Sequence, residues 1–130
     1  MEIKTCLLVE DDIEDQELFQ AVLQEVASDI VCYTASNAEE ALSMLIHEGF
    51  LPDYIFTDLQ MPKINGLEFL KTLKRHKKLK NIPVVMYTSE YSDEHLMKGK
   101  ELGVTAFYRK TCIEALRKII ISHLTSISHY

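Results

Sequence analysis

Tyr54-Ile55-Phe56-Thr57-Asp58-Leu59-Gln60-Met61-Pro62 decides how this chain is read. An apolar run of strand length ends on a carboxylate, and a proline soon follows. A buried unpaired charge is expensive, so an Asp at the exit of an interior strand usually has a cation or a reaction to serve. A second run, Cys6-Leu7-Leu8-Val9, ends the same way on Glu10-Asp11-Asp12. If the two strands lie parallel and adjacent, these carboxylates meet at one edge of one sheet.

Working outward, short apolar runs alternate with longer amphipathic ones. Residues 4–10 read as a first strand, and 13–26 as a helix with Phe19, Val22, Leu23 and Val26 on one face. Ile30–Thr34 is a short strand rich in β-branched residues. Ser36-Asn37-Ala38-Glu39 fits a capping box. The helix it opens places Ala38, Ala41, Leu42, Leu45 and Ile46 inward and stops at Gly49. Pro52 precedes a third strand over 53–58, and Asn65-Gly66 a third helix with Leu67, Leu70 and Leu73 inward. Pro83 opens a fourth strand through Thr88, since proline is tolerated at a strand's first residue. A fourth helix over about 92–102 stops at Gly103. Thr105–Arg109 is a fifth strand, and a last helix runs from about Ile113 to Ile127 with Ile113, Leu116, Ile120 and Leu124 on one face. Five βα units in series predict an α/β fold, a doubly wound five-stranded parallel sheet with helices on both faces. The 130 residues suit one domain, 1–130.

Composition narrows the function. Fourteen basic against 20 acidic residues give a net charge of −6, which argues against an autonomous nucleic-acid binder. The local basic run Lys71, Lys74, Arg75, Lys77, Lys78 and Lys80 reads as a solvated helix end and loop. No apolar stretch reaches the roughly 18 residues of a membrane span, and no signal peptide is visible. Cys6, Cys32 and Cys112 are far apart in sequence and form no CxxC pair, which reads as buried free thiols in a reducing, cytoplasmic compartment. Five histidines lack metal-ligand spacing; His76, His95, His123 and His129 read as surface residues.

In doubly wound sheets function gathers at the carboxyl ends of the strands. Four ends carry polar groups here: Glu10-Asp11, Asp58, Thr88-Ser89 and Lys110. Three crowded carboxylates would repel one another and hold protons unless a hard cation bound them. Oxygen ligands suit Mg²⁺ or Mn²⁺, with the backbone carbonyl of Gln60 as a further donor. Lys110 adds a compact positive charge and Thr88 a hydroxyl. Together these groups would surround a planar phosphoryl group, with the Asp58 carboxylate as nucleophile. Taken singly, each has a bland reading: Asp12 as a helix cap, Thr88 as a strand-end hydroxyl, Lys110 as a snorkelling surface lysine. Their four matched positions favour the site.

Leu7-Leu8-Val9-Glu10-Asp11-Asp12, Asp58-Leu59-Gln60-Met61-Pro62 with Gly66, Thr88-Ser89 and Lys110 together resemble the response-regulator receiver domain of two-component signalling, over essentially the whole chain. The resemblance implies a (βα)5 flavodoxin-like sheet in the order 2-1-3-4-5. It implies that Asp58 accepts phosphate from a histidine kinase or phosphotransfer protein, that Glu10 and Asp11 hold Mg²⁺ directly or through water, and that Thr88 and Lys110 contact the phosphoryl group. Thr88 and the strand-five aromatic, Phe107 here, would act as the switch. The face made by helix 4, strand 5 and helix 5 would carry the readout to a downstream protein. Such a domain is no conventional enzyme; it catalyses its own phosphorylation and dephosphorylation. Gln60 and Glu90 occupy the flanking positions that govern access of water in the family.

The family usually has a proline after the lysine, where this chain has Thr111. The Lys110–Thr111 bond is expected to be cis, so that the lysine still reaches the site, although a non-proline cis bond costs about 2.5–4 kcal/mol. With no output domain in view, the chain reads as a stand-alone receiver. Ile119 and Ile121, off the inward stripe of the last helix, offer a homodimer face. A pseudo-receiver, an interaction module that does not use phosphate, is the alternative. A haloacid-dehalogenase-type phosphatase needs a second acid where Gln60 stands, and a flavodoxin needs a phosphate-cradling loop where Glu10-Asp11-Asp12 would repel the ligand.

Overall fold

The structure, a computed structural model, describes residues 2–125. Five strands alternate with the helices: β1 Thr5–Val9, α1 Ile13–Val26, β2 Val31–Ala35, α2 Ala38–Leu42, β3 Tyr54–Thr57, α3 Gly66–Arg75, β4 Val84–Thr88, α4 Asp93–Glu101, β5 Ala106–Arg109 and α5 Ile113–Leu124. The sheet is parallel throughout, in the order β2-β1-β3-β4-β5, as expected.

Side chains alternate across the sheet, so the central strands are apolar on both faces. Leu7, Val9, Ile55, Val84 and Met86 join Ala41, Leu45, Phe69, Leu70 and Leu73 on the side of α2 and α3. Cys6, Leu8, Phe56 and Val85 join Phe19, Val22, Leu23, Leu116 and Ile120 on the side of α1 and α5. The register pairs Val9 with Thr57 and Thr88 with Arg109. The next residues, Glu10, Asp58 and Lys110, therefore leave the sheet at one edge.

Several local expectations need correction. The cap of α2 is Asn37, whose side chain accepts the Glu40 N–H at 2.7 Å; Ser36 lies one residue outside. A π-helical turn, Ser43–His47, continues α2. Its wider i→i+5 winding breaks the 3.6-residue stripe, and Ile46 points outward. In α3, Phe69 is buried while Leu67 is only half-buried. On α5, Ile113 is exposed and Ile119 belongs to the buried stripe, so the homodimer face drawn from Ile119 and Ile121 loses its first member to the core. α5 ends at Leu124 with Thr125 extended; Ile127 and His129 lie outside the described residues. The thiols are not all buried: Cys6 is, Cys32 is half-buried and Cys112 is exposed. Cys6 and Cys32 are register partners on β1 and β2 despite their separation in sequence.

His123 is not a bare surface residue either. Its Nδ1 meets the Tyr54 hydroxyl at 3.1 Å and its Nε2 the Tyr108 hydroxyl at 2.8 Å. Burial holds its pKa below the usual imidazole value.

Candidate functional site

Asp58 follows β3 and is only 6% exposed. Oδ1 accepts the backbone N–H of Leu59 at 2.7 Å and of Gln60 at 3.3 Å, and Oδ2 lies 3.2 Å from Lys110 Nζ. The chain turns back at once, with Gly66 N–H donating to Leu59 O at 2.9 Å. A Cβ on Gly66 would sit 2.4 Å from the Asp58 carbonyl oxygen, so only glycine fits. Asn65 then caps α3 in a reciprocal capping box with Glu68, fixing the exit of the loop.

Glu10, 3% exposed, follows β1. Its Oε1 accepts from Lys110 Nζ at 2.6 Å and its Oε2 from Asp12 N–H at 3.2 Å. Burial pushes its carboxyl up to about 7; the Lys110 hydrogen bond pulls the other way, and the neighbouring Asp58 charge adds to the rise. Asp11 is exposed. Carboxylate oxygens of Glu10, Asp11 and Asp58 all lie within 4.8 Å of one another. Asp12 is the cap of α1, accepting the Asp15 N–H at 3.1 Å.

Lys110 sits at the centre of this cluster. Its ammonium reaches Glu10, Asp58 and also Asp15 Oδ2 at 2.8 Å, and lies 5.7 Å from the centre of the Tyr87 ring. Burial alone would lower its pKa, but the hydrogen bonds it donates to Asp15 and Glu10, with the charges of Asp58 and Glu10, outweigh it and hold the group well above the usual lysine value. Lys110 N–H donates to Thr88 O at 2.8 Å, which anchors the loop after β5 to the end of β4. The described chain contains no cis peptide bond, so the expected cis Lys110–Thr111 bond is overturned. The four-carbon lysine stem spans the gap from a trans backbone, without the cost of a non-proline cis bond.

Thr88 is wholly buried, and its Oγ1 accepts the Glu90 N–H at 3.0 Å. Its hydroxyl thus organises the loop after β4, while the ammonium makes the direct contact with Asp58. Gln60 is exposed and contributes its N–H to Asp58. Phe107 is half-buried, edge-on to Tyr91 with centroids 5.4 Å apart, and packed so closely on Gly99 that a Cβ there would meet its ring at 3.2 Å.

Two members of the cluster escaped the sequence reading. Asp15 looks like an ordinary acid in the first turn of a helix, where it complements the helix dipole. Tyr87 looks like a strand residue of β4. Only the sheet order brings either one to Lys110.

Residues 6–121 match the response regulator receiver domain. The chain belongs to that family. Among curated receivers, it is 41% identical over 97 residues to the transcriptional regulatory protein CpxR homolog of Haemophilus influenzae, covering 75% of this chain and 39% of that protein. It is 32% identical over 113 residues to the response regulator Rcp1 of Synechocystis sp., covering 83% and 77%. Several curated relatives are much longer; the match spans 13%, 39% and 45% of three of them. The Mn²⁺-bound form of Rcp1 superposes with a TM-score of 0.85 at 30% identity, covering 95% of each chain. The phosphorylated cyanobacterial phytochrome response regulator RcpA gives 0.87 at 26% identity, covering 95% and 96%. As a receiver of two-component signalling, this chain has an acidic cluster with the composition and spacing to hold a divalent cation. Among the described residues, no helix is long and apolar enough to cross a membrane.

Proposed function

We propose that the chain is a phosphorylatable switch whose acceptor is Asp58. The observation that carries this is the asymmetric setting of the Asp58 carboxylate. Oδ1 is held by two backbone N–H groups, while Oδ2 faces a half-buried ammonium. Two hydrogen bonds orient the carboxylate and leave Oδ2 as the attacking oxygen. As Oδ2 bonds to phosphorus, the bond from phosphorus to the donor's imidazole nitrogen breaks, and the imidazole keeps that electron pair and takes up a proton. Lys110 is placed to offset charge on the transferred group. A histidine kinase or phosphotransfer protein is the donor.

The donor set fits a hard cation. Glu10, Asp11 and Asp58 supply carboxylate oxygens within reach of one another. Mg²⁺, or Mn²⁺ in its place, would be held by these three residues and the Gln60 carbonyl, and would supply charge neutralisation for the phosphoryl oxygens. The chain's own residues do the rest. Backbone amides orient Asp58, Lys110 offsets charge, and the neighbouring Thr88 hydroxyl and Phe107 ring form the switch that registers the new group.

The readout runs to a protein partner through the face of α4, β5 and α5. The test is uptake of phosphate from a small phosphodonor with Mg²⁺, read at Asp58 by peptide mass spectrometry. Uptake at Asp58 supports the proposal, and a protein that stays unmodified overturns it.

A further inference from the structure

Cys6 and Cys32 take no part in the phosphoacceptor site, yet the sheet sets them side by side. They are direct register partners on the parallel strands β1 and β2, and both side chains pack on the α1 face of the sheet. Adjacent strands lie roughly 4.7–4.9 Å apart, inside the roughly 4.4–6.8 Å window of Cα separations that a disulfide spans. The strand spacing therefore places the two Cα atoms within the separation that a disulfide spans.

The two thiols are also differentiated. Cys6 is fully buried between strands, whereas Cys32 is half-buried on the edge strand. Cys32 lines a groove of about 340 Å³ with Gln20, Gln24 and Ser28, which gives a small reagent a route to its sulfur. Cys32 Sγ donates to the Tyr33 carbonyl at 3.7 Å, and contact with the neighbouring Cys6 and Gln20 side chains holds the Cys32 thiol below its usual pKa. The same contact, together with burial, drives Cys6 far upward. One thiol is accessible from the edge strand, and the other lies buried behind it, the arrangement of an attacking and a resolving cysteine.

We propose that Cys6 and Cys32 form a reversible oxidation site that takes a small hydroperoxide, with Cys32 as the attacking and Cys6 as the resolving thiol. The Cys32 thiolate attacks one peroxide oxygen, the O–O bond breaks, and the departing hydroxide takes a proton to leave as water. Cys32 is then a sulfenic acid. The Cys6 sulfur, losing its proton, attacks the Cys32 sulfur and expels the second oxygen as water. Two thiols and one hydrogen peroxide become one disulfide and two waters. A dithiol reductant reverses the bond by thiol–disulfide exchange. The product ties the edge strand β2 covalently to β1, the strand that delivers Glu10 to the acidic cluster.

The test treats the intact folded protein with hydrogen peroxide, alkylates the remaining thiols under denaturing conditions, and maps peptides without reduction. The expected result is a Cys6–Cys32 linked peptide, with both residues leaving the alkylated pool together and returning after dithiothreitol. A Cys112→Ser background should give the same linkage, because Cys112 is not a member of the pair. A Cys6→Ala variant should instead stall at Cys32 sulfenic acid, which dimedone labels. If that variant fails to fold, the map of the unsubstituted protein decides alone. Cys6 remaining alkylatable after peroxide, whether Cys32 is untouched or carried on to sulfinic acid, would overturn the proposal. So would disulfides that all pass through Cys112.

Discussion

Lys110 Nζ lies 2.6 Å from Glu10 Oε1, although one hundred positions separate the two residues in the chain. The pair joins the loop after the last strand to the end of the first, across β3 and β4, and holds a buried carboxylate against a half-buried cation. Its consequences for pH, stability and phosphate chemistry can each be measured.

The first concerns Glu10. Its folded-state pKa is raised from 4.5 to about 7, chiefly by burial. Between those values the folded protein binds a proton that the unfolded chain has already lost. Stability from this group is therefore present at low pH and declines as pH rises through 4.5 to 7. The full loss is on the order of 3 kcal/mol. Urea unfolding at pH 5, 6, 7 and 8 without divalent cation should show that decline in the native protein and a much flatter profile in Glu10→Gln. Added Mg²⁺ should flatten the native profile too.

Removing Lys110 leaves Glu10 and Asp58 buried without their cation. Lys110→Ala should lose roughly 3 kcal/mol of stability in the absence of divalent cation, on the scale seen when one partner of a buried pair is deleted, and Mg²⁺ should restore part of it. Phosphate uptake should slow by about 100-fold, the scale for deleting one charge-stabilising donor. Chemical denaturation with and without Mg²⁺, alongside single-turnover uptake, checks both effects.

Gly66→Ala separates backbone crowding from helix propensity. Alanine is favoured over glycine within a helix by about 1 kcal/mol. Here its Cβ would press on the Asp58 carbonyl oxygen and the Leu59 Cα, at 2.4 and 2.9 Å. The clash should win, destabilising the protein by about 2–3 kcal/mol and slowing uptake at Asp58, because the loop that presents the carboxylate must shift. Thermal unfolding that left Gly66→Ala as stable as the native protein would contradict this.

Thr88 and Phe107 are tested by a phosphate mimic. Beryllofluoride with Mg²⁺ should move the NMR signals of the Phe107 ring and its neighbour Tyr91. In Thr88→Ala the mimic should still bind while those shifts shrink. The same substitution removes the acceptor of the Glu90 N–H and should cost about 1 kcal/mol.

Much of this architecture is legible in the sequence because each strand end carries its own mark. The bounds of α1 follow from its apolar stripe and the Asp12 cap, and Asn65-Gly66 announces α3. Legibility fails where a residue's role depends on a partner far away in the chain. Asp15 reads as a dipole-complementing acid and is in fact a third carboxylate on Lys110. Cys6 and Cys32 read as isolated thiols until the register pairs them. Ile46 fails for a local reason, since a π-helical turn changes the period on which its inward reading depends. Ile119 sits at the margin of the α5 stripe, and the width of a buried stripe is decided by what packs on it. The Lys110–Thr111 junction shows that reach, rather than an unusual peptide bond, brings the lysine home.

The most direct test of the central claim is phosphate uptake at one residue. The native protein and Asp58→Asn are incubated with acetyl phosphate and Mg²⁺, and intact mass and peptide maps are recorded before hydrolysis. The account predicts one added phosphoryl group on the native protein, located at Asp58, dependent on Mg²⁺ and absent from Asp58→Asn. An unmodified native protein, or equal uptake by the two, would contradict it.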